Sequence, residues 1–339
     1  MASYENDVSS RVRTLFGDCP RCSELTSVLL KLGDGDGDGK VTGSEARTFL
    51  SLLQYMEPMM LITLNDSKHT VDFYGYCGGL YVLEKVPFIA SKMFPDLYTW
   101  ELLDLCLADA LHPLQDMLNY YLGKILNAAT FYVQYTGVIL DKTPSFTKYP
   151  IFSTLFQMNV PATNLEKFEF AYSLLDLILE VSDSPYGLVQ SCDLHLGNYG
   201  ITSDSVVKIV DLDLMFPYAF RKTLLEQKKC KSDAECWAGN NRFCLSTCET
   251  KMGTCTSTMQ FQDLHVVCEG LFPVMFSDAN VLEPQGYNNT YLREAVRKLS
   301  AFCTKLPVVH SVQELRRDIQ TVKKKLRSIE VRSTVKLQV

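Results

Sequence analysis

The segment Gln190-Ser-Cys-Asp193-Leu-His195-Leu-Gly-Asn198 lies in the second half of the chain, and Val207-Lys-Ile-Val-Asp211-Leu-Asp213 follows it. An apolar stretch with helical periodicity precedes the first segment, over residues 164–181. Residues 206–210 predict a short strand that ends at Asp211. The order is therefore a helix, a loop with Asp193 and Asn198, a strand and a further aspartate.

These residue types are the ones that phosphoryl transfer requires. An aspartate near the accepting hydroxyl acts as base, and an asparagine and a second aspartate hold magnesium on the nucleotide phosphates. Asp193 and Asn198 keep the spacing of the protein-kinase pattern H-R-D-L-x-x-x-N. An isolated aspartate after a helix is more often a cap or a turn residue. The three residues together predict Asp193 as the catalytic base, and Asn198 and Asp211 as cofactor-binding residues for Mg²⁺ and ATP.

Length and composition set outer limits on the fold and on the partners. The chain has 339 residues, of which 47% are apolar and 21% are charged. These values predict a large core, in two domains or in one two-lobed domain. The net charge of −6 does not favour a nucleic-acid partner, which normally requires a basic surface. The sequence as written has no run of about 18 apolar residues, so no transmembrane segment is expected.

A twelve-residue stretch near the start, residues 34–45, fits the EF-hand calcium loop at each diagnostic position. Its expected metal ligands are the carboxylates, the backbone carbonyl of one lysine and a threonine: Asp34, Asp36, Asp38, Lys40, Thr42 and Glu45. Gly39 permits the sharp turn, and Val41 is apolar as in other EF-hands. Helical apolar patterns flank the loop, so the EF-hand is expected at residues 23–54. No second loop of this kind occurs, which favours an insert in a larger domain.

Cysteine usage indicates an oxidising compartment. The chain has 12 cysteines, and half of them lie in residues 230–268 between polar spacers. Disulfides are favoured over zinc, because the only C-x-x-C pair, Cys19 and Cys22, is far away in the sequence. Six cysteines allow 15 pairings, and the sequence does not choose among them. Two glycosylation sequons, at Asn65 and Asn288, agree with a secretory location.

The start of the chain conflicts with this location. The first residues, Met-Ala-Ser-Tyr-Glu-Asn-Asp, are polar and contain no apolar signal core. We expect that the true N-terminus is missing from this chain. If this start is genuine, the protein is expected to be cytosolic with free thiols.

The chain resembles the divergent protein kinase domain 1 family, which is cysteine-rich and contains an EF-hand. Four stretches carry the resemblance, which covers nearly the whole chain: residues 34–45, 75–87, 193–213 and 230–268. Residues 75–87 look like the kinase strands that lead into the hinge, which implies that Glu84 and Val86 bind the cofactor as adenine neighbours. The resemblance also implies a location in the endoplasmic reticulum or Golgi lumen, with an anchor in the full-length, single-pass form.

The expected fold is α+β, in a protein kinase-like two-lobed arrangement. Residues 1–90 are expected to form a partial N-lobe with the inserted EF-hand. Residues 91–339 are expected to form a mainly helical C-lobe, with a disulfide-rich segment at residues 230–268. A helix is predicted at residues 100–111, and another, with apolar residues three and four apart, at residues 311–329.

Several departures from the kinase pattern predict weak or absent catalysis. Ser191 and Cys192 replace the usual His-Arg, and Leu212 and Asp213 replace Phe-Gly. No Gly-rich loop and no strand lysine precede the calcium loop, so the phosphates lose most of their positioning. Glu5 is the expected remnant of the helix glutamate that pairs with this lysine.

Three other functions remain open from the sequence. One is a pseudokinase, a binding or scaffold module whose pocket is structural. Another is a small-molecule phosphotransferase, because Asp-Leu-His-Leu-Gly-Asn resembles the D-L-H-x-G-N loop of aminoglycoside-type enzymes. The last is a calcium sensor without pocket chemistry. The expected partners of the kinase-like function are a nucleotide and a protein or small-molecule acceptor.

Overall fold

In a computed structural model of the chain, the structure describes residues 2–93, 99–102, 156–159, 162–238, 244–259, 262–276, 289–308 and 311–335. Helices and small antiparallel sheets alternate along these stretches, which agrees with the predicted kinase-like α+β class. Most of the buried apolar residues belong to one continuous core, and helices from both ends of the chain contribute to it.

Four helices open the described chain: α1 (Ala2–Phe16), α2 (Cys22–Leu32), α3 (Gly43–Leu53) and α4 (Met56–Thr63). α3 begins with a capping box, in which the side chains and amides of Thr42 and Glu45 bond to each other. α4 is apolar and is buried from Pro58 onwards. Its first turn, with Glu57, is therefore the part that reaches the edge of the core.

A hairpin connects these helices to the second half of the chain. β1 (Phe73–Cys77) and β2 (Leu80–Leu83) pair antiparallel, with Cys77 opposite Leu80. Gly78 in the turn has a φ of 61°, a left-handed conformation that favours glycine. β3 (Phe88–Ile89) then pairs with β7 (Tyr199–Ile201), and α5 (Ala90–Met93) follows it.

The predicted helix at residues 100–111 is wrong at its start. Trp100 lies in strand β4 (Thr99–Leu102), which pairs antiparallel with β5 (Phe156–Asn159). Trp100 is opposite Met158 in this pair. Aromatic and β-branched residues fit a paired strand well, and the distant partner strand overrides the helical pattern of the local sequence. Residues 103–111 lie outside the described part of the chain.

The middle of the chain forms the frame of the site. α6 (Asn164–Ser182) begins with a second capping box, made by Thr163 and Glu166, and buries one apolar side in the core. Four short strands follow in the order β6 (Val189–Ser191), β7, β8 (Val207–Ile209) and β9 (Met215–Pro217). β6 pairs with β9, while β7 pairs with both β3 and β8.

Helices and one hairpin make up the remainder: α7 (Tyr218–Glu226), β10 (Ser246–Glu249), β11 (Thr254–Met259), α8 (Asp263–Val266), a π-helical turn (Val267–Leu271), α9 (Phe272–Met275), α10 (Asn289–Cys303) and α11 (Val312–Val335). α11 covers the helix predicted at residues 311–329 and buries the apolar seam Leu315, Ile319, Val322, Leu326 and Ile329. None of the described helices is long and apolar enough to cross a bilayer.

Disulfide bonds are present, as the cysteine content predicts. The Cys230–Cys248 and Cys236–Cys255 bonds lie inside the cysteine-rich segment. Two further bonds leave it, because Cys244 pairs with Cys192 and Cys268 pairs with Cys303. Cys19 and Cys22 form a local bond. The buried cysteines of the segment pack with Phe216 and Leu225 in a second, smaller apolar cluster.

Candidate active site

Two loops face each other because short strand pairs hold both of their ends. The first loop runs from β6 to β7 and the second from β8 to β9. Ser191 is opposite Met215 at one end, and Tyr199 is opposite Ile209 at the other. The residues between these pairs, 192–198 and 210–214, must therefore lie side by side. This brings Asp193 and Asn198 to the same place as Asp211 and Asp213.

Asp193 and Asn198 are joined directly. The Asn198 side-chain nitrogen, Nδ2, donates to the backbone oxygen of Asp193 at 2.9 Å and to its Oδ2 at 3.0 Å. Asn198 is buried, whereas the side chain of Asp193 is 32% exposed. The amide thus holds the carboxylate at the mouth of the cleft and leaves it open to a ligand.

His195 adds a third polar group to this loop. Its Nε2 lies 3.5 Å from Oδ2 of Asp193, and its Nδ1 accepts a hydrogen bond from the Gly197 amide at 3.1 Å. Because Nδ1 accepts this bond, the neutral ring carries its proton on Nε2. His195 therefore presents an N–H group to the carboxylate of Asp193.

The second loop concentrates negative charge. The Asp213 amide donates to Oδ1 of Asp211 at 3.2 Å. Burial raises the pKa of Asp213, and the carboxylates of Asp211 and Asp193 raise it further. Carboxylates that lie this close together repel one another, and a bound divalent cation reduces this repulsion. The donor set fits Mg²⁺, which prefers oxygen ligands.

A glutamate that the sequence did not reveal completes the cluster. Burial raises the pKa of Glu57, at the start of α4, and the charges of Asp211 and Asp213 raise it further. The hydroxyl of Tyr81 on β2 donates a hydrogen bond to its Oε2. Glu5, the expected helix glutamate, is instead an exposed residue of α1. In the sequence, Glu57 could have been noticed only as an acidic residue in a helical setting, and many other glutamates share this description.

Glu84 and Val86, the expected adenine neighbours, lie between β2 and β3. The Glu84 carboxylate accepts from the Asp72 amide at 3.2 Å and pairs with Lys208 on β8. Val86 packs against Gly200, where an added Cβ would come within 2.5 Å of Val86 Cγ1 and 3.1 Å of Val210 Cγ1. The connecting segment is thus fixed to the strand that leads to Asp211. The structure places neither residue in the carboxylate cluster.

Two contacts support the start of the first loop. The Ser191 amide donates to Oδ2 of Asp263, at the beginning of α8, at 3.2 Å. Cys192, the next residue, is bonded to Cys244. Asp263 is fully buried, and this burial raises its pKa to about 7. An aspartate at a helix start is common in sequences, so nothing in the local pattern identified Asp263 as a support of the loop.

A family model described as the protein-kinase domain of FAM69 matches residues 49–306, about three quarters of the chain. The chain belongs to the FAM69 protein-kinase family. The match includes every residue of the carboxylate cluster, from Glu57 to Asp213, and also Asp263. It confirms the kinase-like family, while the finer resemblance to the divergent protein kinase domain 1 family stays a prediction. No solved structure matches the chain.

The EF-hand-like loop, residues 34–45, precedes the matched FAM69 domain. Carboxylate oxygens of Asp34, Asp36 and Asp38 lie within 4.8 Å of one another. These aspartates also bond the loop backbone, because Asp34 accepts from the Gly39 amide at 2.8 Å and Asp38 accepts from the Lys40 amide at 2.8 Å. Gly39 has a φ of 84°, as the sharp turn requires.

Glu45 closes the loop from α3. Its Oε2 accepts from the Thr42 amide at 2.8 Å and its Oε1 accepts from the Gly35 amide at 3.0 Å. These bonds, led by that to Thr42, lower the pKa of Glu45 and keep it charged. Oδ1 of Asp34 is buried and has no hydrogen-bond partner among the described residues. An unsatisfied carboxylate oxygen among other carboxylates fits a bound Ca²⁺.

The end of α2, just before the loop, also contacts the FAM69 domain. The Tyr76 hydroxyl on β1 donates to the backbone oxygen of Leu32 at 3.1 Å, immediately before the loop. Burial raises the pKa of Tyr76, and the charges of Glu45 and Asp34 raise it further. The negative charges of the loop therefore act electrostatically on Tyr76, in the hairpin that leads to Glu84.

Proposed function

We propose that the chain binds magnesium and ATP in the cleft between the two loops, and that it is a weak phosphotransferase of the protein kinase-like class. The acceptor is the hydroxyl group of a protein or of a small molecule. The observation that carries this proposal is the bond from Asn198 to Asp193 opposite the Asp211–Asp213 pair. It gathers one exposed base and an oxygen-rich cation site at a single cleft.

Asn198, Asp211 and Asp213 would hold Mg²⁺, which supplies neutralisation of the phosphate charge when it is bound. Asp193 accepts the proton of the attacking hydroxyl. The Asn198 amide fixes the orientation of Asp193, and Nε2 of His195 lies 3.5 Å from the Asp193 carboxylate. We expect transfer to be weak because Leu212 and Asp213 stand in place of the Phe-Gly that follows the metal-binding aspartate in kinases.

Calorimetric titration with ATP and magnesium tests the binding half of this proposal. The Asp211→Asn substitution should weaken binding about tenfold or more, because it removes a ligand of the cation. Asp204→Asn is the matched control, since Asp204 is an exposed residue of the turn between β7 and β8. Equal ATP affinity in the two variants, or full affinity without magnesium, would reject the proposed site.

Transfer of radiolabelled phosphate tests the catalytic half. Asp193→Asn should reduce the slow transfer about a hundredfold or more, because a positioned base contributes at least that much. A general acceptor protein and free hydroxyl compounds serve as probes. A chain that binds Mg-ATP but shows no Asp193-dependent transfer would be a pseudokinase. Ser191 and Cys192, in place of His-Arg, are the residues that favour this second candidate.

We propose in addition that residues 34–45 bind one Ca²⁺ in the EF-hand manner. The support is the convergence of Asp34, Asp36 and Asp38 and the unsatisfied oxygen of Asp34. Glu45→Gln should weaken calcium binding about tenfold or more, because the neutral amide cannot supply two carboxylate oxygens. Asp18→Asn, an exposed acidic residue outside the loop, is the control. If Glu45→Gln binds calcium as tightly as Asp18→Asn does, the proposed site is refuted.

We propose a secretory location, with a membrane anchor in the full-length form as the family resemblance implies. Five disulfide bonds among the described cysteines support an oxidising compartment. Asn65 is exposed, and its Oδ1 accepts from the Phe73 amide at 2.9 Å, which leaves the side-chain nitrogen for a glycan. Asn65→Gln should reduce a glycosidase-sensitive mass shift by one glycan, because Asn288 is a second sequon. A protein with free thiols and no glycan would contradict this location.

A further inference from the structure

A second cavity, of about 340 Å³, lies beside the start of the first loop. α6, β6, β9, α7, β11, α8 and α11 form its walls. None of Glu57, Asp193, Asn198, Asp211 and Asp213 lines it. It is therefore separate from the proposed nucleotide cleft, and its size is typical of a small-molecule site.

Apolar, polar and charged side chains all line this cavity. Ile178, Val189, Phe216 and Leu315 provide an apolar surface. Arg221, on α7, and Asp263 are the charged residues of the lining. It also includes uncharged polar residues: Ser182, Gln190, Ser257, Thr258, Gln262 and Ser311. A ligand that fits the apolar and the charged parts needs an apolar body and one polar head.

Arg221 indicates that the polar group of the ligand is negatively charged. It is only 6% exposed, and its Nη1 atom donates to Oε1 of Gln190. Its Nε has no hydrogen-bond partner among the described residues. The guanidinium group lies 5.3 Å from the centre of the Tyr218 ring and is attracted by the nearby carboxyl group of Asp263. A buried cation whose charge is only partly balanced is unfavourable, and the planar guanidinium fork matches a further carboxylate.

Asp263 balances the charge of Arg221 only in part. Its Oδ2 atom is engaged by the Ser191 amide, and its Oδ1 atom is buried without a hydrogen-bond partner among the described residues. Burial raises its pKa to about 7, which favours the uncharged carboxyl group. An uncharged carboxyl group can donate a hydrogen bond to a second carboxylate.

We propose that this cavity binds a small monocarboxylate with an apolar body, whose carboxylate pairs with Arg221 while its body lies against Phe216 and Leu315. A single guanidinium group balances one negative charge, which favours a carboxylate over a phosphate dianion. The cavity includes Val189 and Gln190 of β6, so its occupant contacts the strand that leads into the loop of Asp193.

Titration calorimetry with sodium octanoate and sodium benzoate, on the full chain, tests this inference. Arg221→Met keeps an apolar stem and removes the charge, and it should weaken octanoate binding about tenfold or more. Lys222→Met is the matched control, because Lys222 is exposed on the same helix. Octanol and inorganic phosphate should each bind at least about tenfold more weakly than octanoate.

A second variant keeps the test decisive if Arg221→Met does not fold. Leu315→Phe retains Arg221 and fills part of the cavity, so it should also weaken octanoate binding, while the melting temperature reports folding. The inference is overturned if the folded wild type binds neither carboxylate. It is equally overturned if octanol or phosphate binds as well as octanoate, or if Leu315→Phe leaves octanoate affinity unchanged.

Discussion

The backbone amide of Ser191 donates a hydrogen bond to the Oδ2 atom of Asp263, 72 residues later in the chain. The acceptor belongs to α8, and the donor is the last residue of β6, two residues before Asp193. The position of the proposed base is therefore set by a buried side chain that does not itself line the cleft. This contact and the Cys192–Cys244 bond together fix the start of the loop.

Asp263 should give the protein a distinctive pH dependence of stability. Its pKa is about 7 in the folded state, well above the ordinary aspartate value that applies after unfolding. Between these two values the folded state binds more protons, so the free energy of unfolding falls as pH rises. The slope due to this group is at most about 1.4 kcal/mol per pH unit.

Urea unfolding of the wild type and of Asp263→Asn at a series of pH values between the two pKa values measures this effect. Asparagine keeps an oxygen acceptor for the Ser191 amide and cannot ionise. The wild type should therefore lose stability relative to the variant as pH rises. A difference that stays constant over this range would show that Asp263 keeps an ordinary pKa.

Glu57→Gln should raise the melting temperature without magnesium and reduce the stabilisation that magnesium provides. The substitution removes one of the like charges around Asp211 and Asp213, while the amide oxygen still accepts from Tyr81. We expect a higher melting temperature in EDTA, because repulsion is relieved, and a smaller stabilisation by magnesium. Thermal unfolding with and without the cation measures both. Glu5→Gln, on the exposed face of α1, is the control and should change neither.

The two types of disulfide should differ in their effect on stability. Loss of the Cys192–Cys244 bond, by paired serine substitutions, releases residues separated by 52 positions. The chain-entropy model then predicts a loss of about 4 kcal/mol. Loss of the Cys19–Cys22 bond, with a separation of 3, should cost about 2 kcal/mol or less. Equal losses in chemical unfolding would contradict the structural role assigned to Cys192.

Gly200→Ala tests the close contact between β7 and the segment that joins β2 to β3. An added Cβ would overlap Val86, so we expect a loss of about 1–3 kcal/mol from overpacking. Val86→Ala should partly relieve it, which makes the double substitution less harmful than the sum of the single ones. Gly79→Ala, on the hairpin turn, is the control, because an added Cβ there would meet no atom within 4 Å. Additive losses at residues 86 and 200 would argue against the contact.

The sequence predicted the parts of the site that are close together in the chain. Asp193, Asn198 and Asp211 were predicted from residue type, order and spacing, because two loops joined by the short β7–β8 hairpin hold all three. The EF-hand-like loop was equally visible, since twelve consecutive residues carry its pattern. Local order of this kind needs no knowledge of the rest of the fold.

Contacts between distant residues could not be predicted in the same way. Glu57 reaches the aspartates only because α4 and β2 pack beside the cleft, and Asp263 reaches Ser191 only through the position of α8. The cysteine pattern left the disulfide pairing open, and the partner of Cys244 lies outside the cysteine-rich segment. Trp100 was assigned to a helix because its partner strand is far away in the sequence. In each case tertiary packing, not local sequence, decides the outcome.

The order of synthesis gives the support of the first loop a further meaning. Ser191 and Cys192 leave the ribosome before Asp263 and Cys244, the two residues that restrain them. A nascent chain that ends before residue 244 has the aspartate of the cleft but neither of its anchors. Both restraints on the start of the first loop can therefore form only after translation has passed α8 and an oxidant has joined the two sulfur atoms.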